Sequence, residues 1–206
     1  MGLNLYVFIY QLQLGPGLEK FFDQFALVPE KLWQAKGVHW QDYFFPYRTL
    51  ITSIFLHGGW LHLLGNMLTL WVFGGMVEDR LGHCGYFLFY IFCGVVSGLG
   101  HALYLSDSTT PCVGASGAIA GLLGASLLLY PKAKVLTAVP IFVFIKLIYL
   151  PAFLFFLFWF SGQLLLMYSP YFAGHNIAVM AHIVGFTFGL ATVIFFKKYP
   201  PGKRKR

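Results

Sequence analysis

The sequence predicts an all-α polytopic membrane protein, a bundle of six transmembrane helices, and three observations carry that prediction. Of its 206 residues 58% are hydrophobic and 10% charged, with a mean hydropathy of +0.72, whereas a soluble domain is typically about 45–50% apolar and about 25% charged. The apolar residues gather into stretches near the roughly 20 residues that cross about 30 Å of hydrocarbon. Basic residues collect at the C-terminus and in alternate connections. Disorder, a disulfide scaffold and a nucleic-acid-binding domain are excluded by this excess of apolar surface, although the net charge is +7.

Taken in order, residues 1–14 are apolar but short, and they lack the charged start and small-residue cleavage site of a signal peptide. They read as a first span, shortened relative to the others. Residues 15–60 mix Glu19, Lys20, Asp23, Glu30, Lys31, Lys36 and Asp42 with Phe, Trp and Tyr, the character of an outer loop lying in the membrane interface. Five clear spans follow, near 61–77, 85–105, 115–130, 148–168 and 177–196. Residues 1–198 thus form one transmembrane domain, and 199–206 a basic tail.

Six of the fourteen Lys and Arg residues fall between Lys197 and Arg206, which makes that end cytoplasmic by the positive-inside rule. The short loops agree: Arg80 and Lys132, Lys134 and Lys146 lie in the connections then expected inside, while 106–114 and 169–176 hold no Lys or Arg. No internal repeat points to a transporter with two halves. Cys84, Cys93 and Cys112 show no CxxC pairing, hence neither a zinc site nor an even disulfide set.

Polar residues inside spans are costly and default to function. On the second span His62 and Asn66 stand four residues apart, about 40° around a helix and so on one face. The fourth opens with Gly114-Ala115-Ser116-Gly117-Ala118, and the sixth carries Ala181-His182-Ile183-Val184-Gly185 with Gly189 a turn later. All three spans enter from outside, so His62, Ser116 and His182 share one depth near the outer surface, where water reaches them. Ala181, Gly185 and Gly189 on the sixth span, and Gly117, Gly121 and Ala125 on the fourth, form small-residue stripes that let two backbones approach. Ser116 and His182 flank those stripes. An imidazole that takes the hydroxyl proton and returns it to the leaving amine makes serine a nucleophile. The oxyanion then formed needs fixed donors, for which His62, Asn66 and the Ser116 backbone N–H are candidates. No third triad member is evident, since Glu78 and Asp79 lie at the opposite face. His182 must be oriented by packing or by a weaker partner.

From Tyr47 to Lys198 the chain resembles the rhomboid intramembrane serine proteases. The resemblance rests on His57-Gly58-Gly59-Trp60-Leu61-His62-Leu63-Leu64-Gly65-Asn66, Gly74-Gly75-Met76-Val77-Glu78, Gly114-Ala115-Ser116-Gly117 and Ala181-His182-Ile183-Val184-Gly185-Phe186-Thr187-Phe188-Gly189, in the family's order. It implies a six-helix protease domain over 1–198, with Ser116 as nucleophile, His182 as general base and His62 and Asn66 as oxyanion donors. Gly114 would shape the loop before the nucleophile, and Glu78 would be a structural carboxylate at the inner end of the second span. His57, five residues before His62 and so about 140° round a helix, would play a supporting part, as would Gly117. Further implications are a laterally accessible site, a flexible fifth helix or outer cap, and substrates that are themselves transmembrane proteins. No cofactor, no metal and no nucleic acid enter this reading. Where the family commonly carries Trp-Arg, this chain has Tyr47-Arg48. A compact six-span chain without a targeting extension points to a bacterial cytoplasmic membrane, with the site on the extracytoplasmic side and the C-terminus in the cytoplasm.

Rival functions are weaker. A channel or transporter would continue its polar path inward, but the inner halves of these spans are Leu, Phe, Val and Gly. A metal hydrolase lacks HExxH and nearly all acidic residues in the spans. A G-x-S-x-G elbow fails at Ala118. There remains a non-catalytic rhomboid-like binder of transmembrane helices.

Overall fold

In a computed structural model of the chain, residues 1–34, 40–141, 144–168 and 178–196 are described. Small residues decide what lies at the centre. Helix α7 (Ser116–Leu129) has the sequence SGAIAGLLGASLLL and is buried without interruption from Gly117 to Ser126, the all-round burial of a core helix. Helix α9 (Val179–Phe196) runs along it. Their backbones meet closely: a Cβ on Gly185 would strike the Gly117 carbonyl oxygen, and one on Gly189 the Gly121 carbonyl. The third close approach on α7 is at Gly124, against the Phe186 oxygen and the Leu190 nitrogen. The expected stripe therefore shifts by one residue from Ala125, because only a residue without Cβ fits there.

Helix α5 (Trp60–Thr69), a π-helical turn (Leu70–Gly74) and α6 (Gly75–Tyr104) follow one another, and a single residue, Gly82 at φ 70°, breaks the helical path. The expected loop between the second and third spans shrinks to this glycine, which alone adopts positive φ freely. Arg80, expected in that loop, is buried at 4% exposure with its guanidinium 5.3 Å from the centre of the Tyr130 ring, a cation–π placement. Glu78 pairs with His83. Helix α6 packs against both α7 and α9, and Ser97 Oγ donates to the Ala181 carbonyl at 2.7 Å.

The all-α expectation fails at one place. Strands β1 (Lys134–Ile141) and β2 (Phe144–Pro151) pair antiparallel in register from Lys134↔Pro151 to Ile141↔Phe144, so helix α8 begins at Ala152 and not near 148. The run from Val135 to Leu150 is rich in Val, Ile, Phe and Tyr, which suit a pleated surface, so most of the inner connection expected at 131–147 is strand. Helix α8 (Ala152–Tyr168) leans on the core through rings: Phe155 and Phe156 lie 5.5 and 5.4 Å from Phe73.

Before α5 the chain is more structured than a loop. It forms helices α1 (Gly2–Gln13), α2 (Leu18–Phe25), α3 (Pro29–Trp33) and α4 (Trp40–Thr52), and Leu27, Leu32 of α3 and Leu50 of α4 make a small core with Ala102 of α6. Arg48 lies over the Phe25 and Phe45 rings, 5.0 and 4.6 Å from their centres, and donates to the Gln24 carbonyl. Among the described residues the stretch Trp60–Tyr104 is long and apolar enough to span a bilayer; α7, with 14 residues, reaches only about 21 Å at about 1.5 Å per residue. The expected tail 199–206 and the outer connection 169–176 lie outside the described residues.

Candidate active site

The nucleophile candidate owes its position to a tied-down loop. Leu27 and Cys112 exchange two backbone hydrogen bonds, 3.1 and 2.7 Å, and the Gly114 N–H donates to the Ser53 carbonyl at 2.9 Å. Gly114 turns at φ 126°, which a side chain resists, and Ser116 follows as the first residue of α7. The Ser116 N–H is among the first-turn donors that have no acceptor within the helix.

Across the glycine seam, His182 Nε2 lies 2.8 Å from Ser116 Oγ. The other ring nitrogen, Nδ1, lies 2.7 Å from Gln163 Oε1 on α8. Trp159, one turn earlier on that helix, sets its ring 5.8 Å from the imidazole at 44°. The partner that sequence reasoning left open for His182 is therefore Gln163. Its signal was a lone amide in an apolar run, FLFFLFWFSGQLLL, the same criterion that singled out His62 and Asn66.

His62 and Asn66 share one face of α5, and both reach Gly114. A Cβ placed on Gly114 would sit 2.6 Å from His62 Nε2 and 3.6 Å from Asn66 Nδ2, so the two nitrogens converge on a space that only glycine leaves free. The Gly58 N–H donates to His62 Nδ1 at 3.4 Å, which leaves the proton on Nε2, facing that space. Asn66 is 7% exposed, and its Nδ2 has no hydrogen-bond partner among the described residues. A cavity of about 920 Å³ joins these groups, lined among others by His62, Asn66, Ser116, Trp159 and His182.

His57 and Gly117 stand behind this constellation. The helix begins at Trp60, so the expected 140° separation of His57 from His62 around a helix does not apply; the two rings touch edge to face, 5.3 Å apart. Burial, with a smaller contribution from His62, pushes the His57 imidazole down to about 4. Its backbone is clamped by a residue that sequence reasoning missed: Gln11 accepts from the His57 N–H at 3.1 Å and donates to its carbonyl at 2.9 Å. Gly117 faces Ser97 and the seam, and its part is close packing.

Among known proteins, the Rhomboid domain family matches residues 45–199, most of the chain. Rhomboid-like protein 11, chloroplastic, of Arabidopsis thaliana is 35% identical over 107 residues, covering 45% of this chain and 38% of its own length. Rhomboid protein 1, mitochondrial, of Saccharomyces cerevisiae is 31% identical over 141 residues, 66% of this chain and 37% of that one. Rhomboid protease GluP of Bacillus subtilis is 41% identical over 93 residues, 45% and 16%. The chain thus spans well under half the length of these curated relatives. The chain belongs to the Rhomboid family, and with it to the polytopic helical proteins of membranes.

Proposed function

We propose that the chain is an intramembrane serine endopeptidase that cuts membrane proteins in or near their transmembrane helices. The observation that carries this reading is the 2.8 Å contact between Ser116 Oγ and His182 Nε2 at the edge of a cavity onto which His62 and Asn66 converge. His182 takes the Ser116 proton as Oγ attacks the scissile carbonyl carbon, and the carbonyl oxygen becomes an oxyanion. His62 Nε2–H, Asn66 Nδ2–H and the Ser116 N–H stabilise that charge; each such donor contributes about 10²–10³ in rate. Collapse expels the amine, which takes the proton back from His182, and leaves an acyl-enzyme on Ser116. Water, deprotonated by the same imidazole, then releases the second product. Gly114 keeps the oxyanion space open.

In this reading the bundle has six spans, 1–14 being the first, with the site toward the extracytoplasmic side and the C-terminus in the cytoplasm. Relatives named chloroplastic and mitochondrial do not favour the expected bacterial cytoplasmic membrane. Its partners are the bilayer and transmembrane substrates, and protease-named relatives support the chemistry.

The test is incubation of the purified chain in proteoliposomes with a panel of single-span membrane proteins, with the cut ends sequenced. Ser116→Ala and His182→Ala each reduce turnover at least about 10⁴-fold, because the two act as a unit, and Asn66→Ala reduces it about 10²-fold. Binding without cutting in the wild type would instead establish a non-catalytic binder.

A further inference from the structure

The His182 ring is held at both nitrogens, and the second hold comes from a helix to which the proposed chemistry assigns no part. Gln163 is buried at 8% exposure on α8, and its Oε1 meets Nδ1 at 2.7 Å. An amide oxygen has no hydrogen to give, so the proton in that contact belongs to Nδ1. That assignment fixes the tautomer: Nε2 keeps its lone pair toward Ser116, the only neutral form able to accept the hydroxyl proton. With the amide turned over, its NH₂ group would face Nδ1, the imidazole proton would move to Nε2, and the base would be lost.

We propose that Gln163 is the positioning residue for His182, setting its tautomer and ring plane, and that it makes the alignment of the base depend on the docking of α8; the proposal rests on the Ser116–His182 reading above. Two features of α8 support the dependence. Trp159 and Gln163 are four residues apart, on one face of α8, and both address the same imidazole. Among the described residues α8 also meets α9 through rings around Phe186, 6.5 Å from Phe156, 6.1 Å from Trp159 and 5.2 Å from Phe160, and no glycine of α8 is in close contact with α9. When α8 moves outward, His182 loses its oriented partner and its aromatic wall together. A neutral amide suits the place, because a carboxylate buried there would carry a desolvation cost that the amide avoids.

The test compares wild type with Gln163→Met, which keeps the reach but removes the acceptor, and Gln163→Glu, which keeps an acceptor at the same reach. Gln163→Met lowers kcat about 100-fold with KM and thermal midpoint unchanged, the loss expected of a misaligned base, and Gln163→Glu recovers to within about tenfold of wild type. In ¹⁵N-histidine spectra, with the His182 signal identified by its loss in His182→Gln, wild type shows the Nδ1–H tautomer and Gln163→Met shows a mixture or Nε2–H. The proposal is overturned by wild-type kcat in Gln163→Met, by a Gln163→Glu variant no better than Gln163→Met, or by Nε2–H in the wild type. The spectra judge Gln163 without any turnover, so a wild type that cuts nothing counts against the protease reading while the tautomer still decides this one.

Discussion

Helix α9 is joined to α7 and to α8 in opposite ways. Against α7 it lies backbone to backbone, with Gly117, Gly121 and Gly124 facing Gly185, Phe186 and Gly189 so closely that a methyl group at Gly185 or Gly189 would strike a carbonyl. Against α8, among the described residues, it meets rings and the hydrogen bond that His182 Nδ1–H gives to Gln163 Oε1, and α8 leaves Leu157, Phe158 and Leu165 largely exposed. The lesson concerns precision. The carriers of Ser116 and His182 meet through contacts that leave no room for side chains, while the helix behind the imidazole is attached through rings and one amide.

The largest expected effect breaks the lock. Gly185→Leu forces a side chain into the Gly117 carbonyl and lowers stability by about 3 kcal/mol, as overpacking a tight contact does; thermal unfolding in detergent reads it, and an unchanged midpoint would mean the seam is not tight. Next comes the clamp on the first helix. Gln11→Ala leaves the buried N–H and C=O of His57 without their partners and costs about 1–3 kcal/mol, read by the same melts. A third effect depends on pH. With its folded value near 4 and an ordinary value of 6.5, His57 takes a proton in the unfolded chain that it refuses in the folded one. Stability therefore falls as pH drops from 6.5 toward 4, and His57→Asn flattens that slope in melts taken along the series. The smallest effect belongs to the loose side: Phe158→Ala, at a residue 70% exposed, changes stability by less than about 0.5 kcal/mol, read by the same melts. A large loss there would erase the contrast between the two sides of α9.

Much of this arrangement was legible in the residues, for identifiable reasons. Serine and histidine beside stripes of glycine can be read without coordinates, because helical spacing fixes which face each occupies. Gly114 was legible only as part of a motif; its positive φ and the convergence of His62 and Asn66 on its missing side chain are three-dimensional facts. Gln163 and Gln11 met the same criterion, an amide in an apolar helix, yet nothing in one sequence says which polar atom each will find. The hairpin at 134–151 falls mostly on residues that Lys132, Lys134 and Lys146 mark as an inner connection, and charge says where a loop lies but not whether it pairs as strands; Gly82 was missed because one glycine suffices for a turn that sequence expects to take several residues.

The most direct measurement of the central claim is covalent labelling by a fluorophosphonate, with the modified residue located by mass spectrometry. The account predicts a single adduct on Ser116 in the wild type, absent in Ser116→Ala and in His182→Ala. An unlabelled wild type, or labelling of Ser116 that persists without His182, would contradict it.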